Sequence, residues 1–373
     1  MPDRVRIGVI GCGLIAQVMH LHYLNELSDQ FELAAVCDIS PGLAAGCAQR
    51  FGAHRAYTDW ESLIEDRLDA VMILTSGDHA PIALAAARAG LHIFVEKPMA
   101  LSSQSAEEVV RAAGSSGVQL MVGMMKRYDP AYERLAALLP NVDDLRLVRV
   151  TTLESPLEPY VAHYSMLRGG PPSDALLDEL RLADEKAIDL AVPDADESTR
   201  WCYRWILLDN LVHELNVLRG VLGEPSEIRS ADLSSRCASV CLRFGQVDCH
   251  LSWVDLPGIA RYKQEFAFYA PDQRLTLELP SPFLRSMPSK LTLEGGGGAG
   301  SSDSFKQDEI VSFEEAFKRE LVEFGDCVTT DRPPRTPGSD GLADLRLCEA
   351  IARAHQARLP ERLAAEVGVG GPA

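Results

Sequence analysis

The sequence is short of positive charge: 36 Lys and Arg stand against 54 Asp and Glu, a formal net charge of −18. A field of that sign repels phosphate backbones and anionic lipid surfaces, which argues against nucleic acid and membranes as partners and leaves a small-molecule substrate. There is no apolar run long enough to span a bilayer. Met1-Pro2-Asp3-Arg4 leads straight into an apolar strand, with no basic segment followed by an apolar one, so a cytoplasmic location is expected. None of the nine cysteines forms a C-x-x-C pair. Cys237 and Cys241, four apart in a strand-like stretch, have no histidine partner, so the thiols are expected to be reduced and no metal site is expected. His213-Glu214 begins like a zinc-protease helix, but Val217 stands where the second histidine would be needed. The serines lack a nucleophile-elbow pattern, and there is no internal repeat.

What is present begins with a buried strand, Val5 to Ile10, then the turn Gly11-Cys12-Gly13-Leu14-Ile15-Ala16 and a helix to about Leu27. Gly11 permits the tight turn, Gly13 lets backbone approach a pyrophosphate, and the helix N-terminus favours negative charge. Ala16 replaces the third glycine, which serves helix–strand packing rather than phosphate contact. A second strand ends at Asp38, where such turns place an acid on the adenosine ribose. A carboxylate there opposes a 2′-phosphate, and Ile39 and Ser40 supply no cation, so NAD(H) is favoured over NADP(H). The plainer reading of Asp38 is a cap for the next helix.

Apolar strands alternate with helical segments from residue 5 to about 123, the pattern of a doubly wound parallel sheet. At 373 residues two domains are expected. A nucleotide-binding Rossmann domain would span 1–125 and an α+β domain with a largely antiparallel open sheet 126–373. The charged, helical stretch near 165–200 reads as an insertion or lid, or equally as a surface excursion. Several strands follow Glu227, Gly295 to Ser302 reads as a mobile loop, Ser312 to Cys327 and Gly341 to Ala357 read as helices, and the tail from Val367 is expected to fray.

Beyond the glycine turn, Thr75 through His79, Ala89-Gly90-Leu91-His92, Glu96-Lys97-Pro98 and Gly123 through Pro130 follow in order. With these motifs the chain resembles, over nearly its whole length, the glucose-fructose oxidoreductase, inositol dehydrogenase and rhizopine-catabolism family. The resemblance implies an NAD(P)-dependent dehydrogenase acting on CH–OH groups. It implies cofactor contacts from the turn residues Gly11, Cys12, Gly13, Leu14 and Ile15, from Asp38, and from Thr75, Ser76, His79, Glu96 and Lys97. It also implies a dimer or tetramer, which a one-layer sheet face needing cover would suit. Lys97, at a strand end, can reach the crevice above the nicotinamide, and an ammonium there would stabilise an alkoxide. The plainer reading pairs Glu96 and Lys97 as surface charges, and the Lys97–Pro98 bond is a candidate for the cis form.

Asp209 and His213, four apart, share a helix face and can meet a common ligand or each other. In the family an aspartate and a histidine at this spacing contact the reacting hydroxyl. A lone helical histidine is more often structural. The family's glycine and second aspartate are here Leu211 and Asn216, so its polyol specificity does not transfer directly. Lys97, Arg127, Tyr160, Asp209, His213 and Asn216 are the candidate substrate contacts, with Tyr160, His163 and Tyr164 readable also as a buried aromatic edge. The expected reaction interconverts a secondary alcohol and ketone on a sugar, cyclitol or similar molecule, with either His213 or Lys97 as acid–base group. Rival readings are a glycosidase or lyase that oxidises its substrate transiently with tightly bound NAD, and a non-catalytic nucleotide or sugar sensor.

Overall fold

The computed structural model describes residues 4–298 and 300–357, so the expectation for the tail from Val367 lies outside the described residues. Six parallel strands form the first sheet: β1 (Val5–Ile10), β2 (Phe31–Cys37), β3 (Arg55–Tyr57), β4 (Ala70–Ile73), β5 (His92–Glu96) and β6 (Leu120–Gly123), in the order β3-β2-β1-β4-β5-β6. β4 and β6 are buried at every position, as a parallel sheet covered by helices on both faces requires. The order reverses between β1 and its neighbours β2 and β4, and the crevice beyond the strand ends there is where such sheets bind ligands.

Gly11 sits at that point with φ +97°, and a Cβ on it would lie 2.7 Å from the backbone of Leu74 and Thr75. Only glycine fits. The helix that follows opens with a wide π turn, Ala16–His20, before Leu21–Glu26.

The second sheet has eight strands: β7 (Leu147–Glu154), β8 (Glu227–Leu233), β9 (Cys237–Phe244), β10 (Val247–Asp255), β11 (Lys263–Tyr269), β12 (Gln273–Leu279), β13 (Lys290–Gly296) and β14 (Ser304–Glu309). The order is β14-β13-β12-β11-β7-β10-β9-β8, antiparallel except where β7 runs alongside β10. Val148, Val150 and Thr152 of β7 are buried while Arg149 between them is exposed, the alternation of a sheet with one covered face.

Several local expectations change. Gly295 and Gly296 are paired with Phe305 and Ser304, so the glycine run enters a hairpin rather than forming a free loop throughout. The helix expected from Ser312 begins at Ala316. The 165–200 stretch is an extended segment followed by helix Asp174–Ala191, capped by the Ser173 hydroxyl, and the short helix Glu197–Trp201. No helix among the described residues is long and apolar enough to cross a membrane.

One buried cluster lies under the end of β5. His20, Glu96 and Glu320 each bring a potential ligand atom within 4.8 Å of the others, a grouping that no spacing in the chain signals. Both carboxyl oxygens of Glu320 lack partners. Burial, then the neighbouring Glu96, pushes its carboxyl well above the ordinary value of 4.5. A carboxyl held neutral in the fold but free to ionise when unfolded lowers stability as pH rises through the unfolded value. Glu320→Gln is therefore expected to melt higher than wild type at pH 7, with the gap closing as pH falls to 4.5 and below. Thermal unfolding across that range checks it, and coincident melting curves at every pH would count against it.

Candidate active site

The amide of Cys12 donates to the Asp38 carboxylate at 2.9 Å, and the amide of Ser40 donates to its other oxygen at 2.9 Å. Asp38 thus braces the glycine turn from the end of β2 and holds the amide of Ser40, the residue that precedes helix Pro41–Phe51. A Cβ built on Gly13 meets nothing within 4 Å, which leaves open space over the turn. Leu14 and Ile15 are half-buried, whereas the Cys12 side chain turns fully inward.

Beyond β4, Ser76 is exposed and the enclosed Thr75 hydroxyl has no partner. The ring nitrogens of His79 lie 2.7 Å from the Thr75 carbonyl and 2.8 Å from the Pro98 carbonyl, so the ring sits between two loops.

The Glu96 side chain points into the core, 2.7 Å from His20 Nε2, and accepts the Lys97 amide at 3.1 Å. Burial opposes its charge, but the His20 hydrogen bond and the nearby Lys97 hold the carboxyl below the usual range. Successive side chains along a strand point to opposite faces, so with Glu96 inward Lys97 is delivered to the crevice.

The Lys97–Pro98 peptide is cis. The Lys97 ammonium donates to the Asp209 carbonyl at 2.7 Å and to its carboxylate at 3.1 Å. Asp209 lies near the end of the wide π stretch Cys202–Leu211, whereas His213 lies in the first turn of the α-helix Val212–Leu222. The i→i+5 winding shifts the face on which residues four apart meet, and no hydrogen bond joins Asp209 to His213 among the described residues. His213 Nδ1 is enclosed without a partner. Burial, reinforced by Lys126 and Lys97, holds this imidazole well below its ordinary value and therefore neutral near pH 7.

Lys126 escaped the sequence reading, which took its neighbour Arg127. It is 7% exposed, and burial pushes its amine down to about 8 against the favourable charges of Glu214 and Glu154. Glu214 lies beneath, accepting from the Thr152 hydroxyl at 2.6 Å and the Gln264 amide at 2.5 Å, two residues paired across β7 and β11. A buried lysine leaves no periodic signature. The adjacent cations Lys126-Arg127 after β6 were the available signal, since neighbours on a tight turn face different ways.

Arg127 and Asn216 are engaged with other side chains. The Asn216 amide donates to Asp340 at 2.9 Å and Asp344 at 2.7 Å, and Arg127 lies 3.6 Å from Asp340 and stacks on Tyr132. With Arg219, 2.5 Å from Asp344, they form a buried polar joint to helix Gly338–Gln356. The two acids of that helix need donors, and these side chains supply them. Tyr160 is half-buried and its hydroxyl accepts the Tyr262 amide at 2.6 Å, fixing a loop beside the site.

The family model described as an oxidoreductase family with an NAD-binding Rossmann fold matches residues 5–124. The myo-inositol 2-dehydrogenase of Thermotoga maritima is 24% identical over 98% of this chain and 100% of its own. The match to this oxidoreductase family model thus lies in the part of the chain that carries the first sheet. Among solved structures, a levoglucosan dehydrogenase in complex with NADH aligns with TM-score 0.74 at 18% identity, covering 95% of this chain and 97% of its own. A 3-ketoreductase of Actinomadura kijaniata in complex with NADP aligns with TM-score 0.71 at 20% identity, covering 94% and 98%. The matched family model and the two-sheet architecture thus agree with the order of the glycine turn and the Glu96-Lys97-Pro98 strand end.

The two cations facing His213 generate a prediction. Replacing Lys126 with Met removes one of them, so the His213 imidazole is expected to titrate at higher pH than in wild type. Histidine NMR across pH 4–8 checks this; an unmoved His213 resonance would show that Lys126 does not act on it.

Proposed function

We propose that the protein is an NAD(H)-dependent dehydrogenase or reductase that interconverts a secondary alcohol and a ketone on a sugar, cyclitol or similar polyhydroxylated molecule. The observation that carries this reading is the Lys97 ammonium, fixed by Asp209 at the end of β5, with a neutral His213 one helical turn on. The residues over the crevice suit a dinucleotide: the turn at Gly11 admits no side chain, Gly13 leaves room, and the orphaned Thr75 hydroxyl faces no protein partner. A bound nicotinamide dinucleotide supplies the hydride acceptor or donor.

In the oxidative direction neutral His213 takes the hydroxyl proton, and Lys97 stabilises the oxyanion as charge develops. Asp209 holds the ammonium in place rather than orienting the histidine. Reduction runs the same contacts in reverse. Asp38 at the end of β2 supports NAD(H) over NADP(H), because a 2′-phosphate would meet its carboxylate. The inositol dehydrogenase relative supports a cyclitol or sugar as the substrate class. A cytoplasmic homodimer or homotetramer remains the proposed setting, with the open face of the second sheet as the surface to be covered.

The test combines binding and turnover. NADH is expected to bind the purified protein more tightly than NADPH, and a panel of sugars and cyclitols is expected to reveal a substrate that changes NADH absorbance. Lys97→Ala should then lower kcat by about 10² or more with NADH affinity nearly intact. Unchanged kcat would remove Lys97 from the mechanism. Turnover with no net change in NADH would instead indicate transient oxidation by a retained cofactor, and failure to bind either nucleotide would overturn the dehydrogenase reading.

A further inference from the structure

The segment that follows β7 crosses back from the second sheet onto the glycine turn. Gln17, in the first helical turn after Gly13, is 7% exposed and holds both sides. Its amide nitrogen donates to the Cys12 carbonyl at 2.8 Å and to the Leu167 carbonyl at 3.1 Å, and its amide oxygen accepts the Leu167 amide at 2.9 Å. The Arg50 guanidinium donates to the Ser165 carbonyl. Leu167 lies 3.4 Å from where a Cβ on Gly46 would stand, and Gly169 rests against Ser40, two residues beyond Asp38. The strap therefore runs over helix Pro41–Phe51 and the end of β2.

Both ends of this strap are anchored. The Tyr164 hydroxyl donates to the Phe283 carbonyl at 2.8 Å, and the Arg285 guanidinium lies 4.7 Å above its ring. On the other side, helix Asp174–Ala191 reaches the loop after β4, where Asp184 accepts the Asp78 amide at 3.0 Å. One excursion thus covers the crevice from β2 to β4.

Between strap and turn lies a cavity of 410 Å³ whose walls include Gly13, Leu14, Gln17, Leu43, Glu158 and Arg168. That volume falls in the range of small-molecule sites. Its floor is the glycine turn at a helix N-terminus, which favours an anion. Arg168 adds a cation from the strap, with Glu158 as the one carboxylate on the wall.

We propose that residues 158–168 form the outer wall of the dinucleotide site, with Arg168 countering the pyrophosphate charge and the Gln17–Leu167 latch slowing nucleotide exchange. The proposal rests on the dinucleotide-binding reading above and adds to it a wall contributed from beyond the first sheet. The strap must unlatch for the nucleotide to leave, so exchange is gated by contacts that lie far from Lys97 and His213. Charge-assisted contacts of the Arg168 kind are among the stronger hydrogen bonds.

The experiment is stopped-flow release of NADH from the full-length protein, chased with excess NAD⁺ and followed by fluorescence. Arg50→Ala, which frees the Ser165 carbonyl, and Gln17→Leu, which removes the amide that holds the Leu167 backbone, are each expected to release NADH about tenfold faster or more. Arg168→Ala is expected to weaken NADH about tenfold while leaving adenosine, which has no phosphate, bound as in wild type. Release rates within twofold of wild type in both Arg50→Ala and Gln17→Leu would overturn the latch. An equal loss of NADH and adenosine in Arg168→Ala would overturn the pyrophosphate contact. Wild-type protein that binds no NADH would fail at the earlier step, a different result from a strap that makes no difference.

Discussion

The contact between the Lys97 ammonium and Asp209 joins the two halves of the site. Lys97 comes from the end of a parallel strand and Asp209 from the wide-wound end of a helix more than a hundred residues later. Both the carbonyl and the carboxylate of Asp209 accept from the same ammonium, so the lysine is constrained in direction as well as in distance. Much of the neighbouring structure can be understood as support for that constraint. Glu96 turns inward to His20 and holds the Lys97 amide, while His79 ties the loop after β4 to the carbonyl of Pro98. These are positioning contacts in the usual sense of catalytic sites, where the supporting side chains are locked by burial and hydrogen bonds of their own.

Charge is distributed against the overall trend of the chain. The protein is strongly acidic, yet burial, reinforced by Lys126 and Lys97, keeps the His213 imidazole neutral. Glu214 sits below, occupied by Thr152 and Gln264, and balances the buried lysine without capturing it in an ion pair. A neutral histidine beside a fixed cation is a competent arrangement for removing a proton from a hydroxyl whose oxygen becomes negative. The acidity of the whole chain and the positive character around His213 are thus separate features, and only the second bears on the proposed reaction.

The first sheet was legible because its strands are short apolar runs separated by glycine stops, and the motifs sit at strand ends where chain order fixes their place. Asp38, Lys97 and the glycine turn follow from that geometry. The second sheet was less legible: β14 is exposed almost throughout, so it carries no burial pattern to read. Spacing also misled where partners came from elsewhere. Asn216 stands one turn beyond His213, but Asp340 and Asp344 on the last helix claim its amide. Asp209 and His213 have the right separation for an α-helix, but π winding intervenes and no hydrogen bond joins the two among the described residues. The strap at 164–169 left only a charged, glycine-containing stretch in the sequence, because its role depends on Gln17 and Arg50, which are distant in the chain.

The central claim is that Lys97 and Asp209 act as one unit, and a double-mutant cycle on kcat/KM measures it directly, using Lys97→Met, Asp209→Asn and the pair on the substrate found by the sugar and cyclitol screen. Residues that act together lose little more when both are removed than when the more damaging one is removed alone. A double mutant no worse than about threefold below Lys97→Met is the expected result. Losses that multiply independently would show that Asp209 does not work through the lysine and would contradict the joint at the heart of the site.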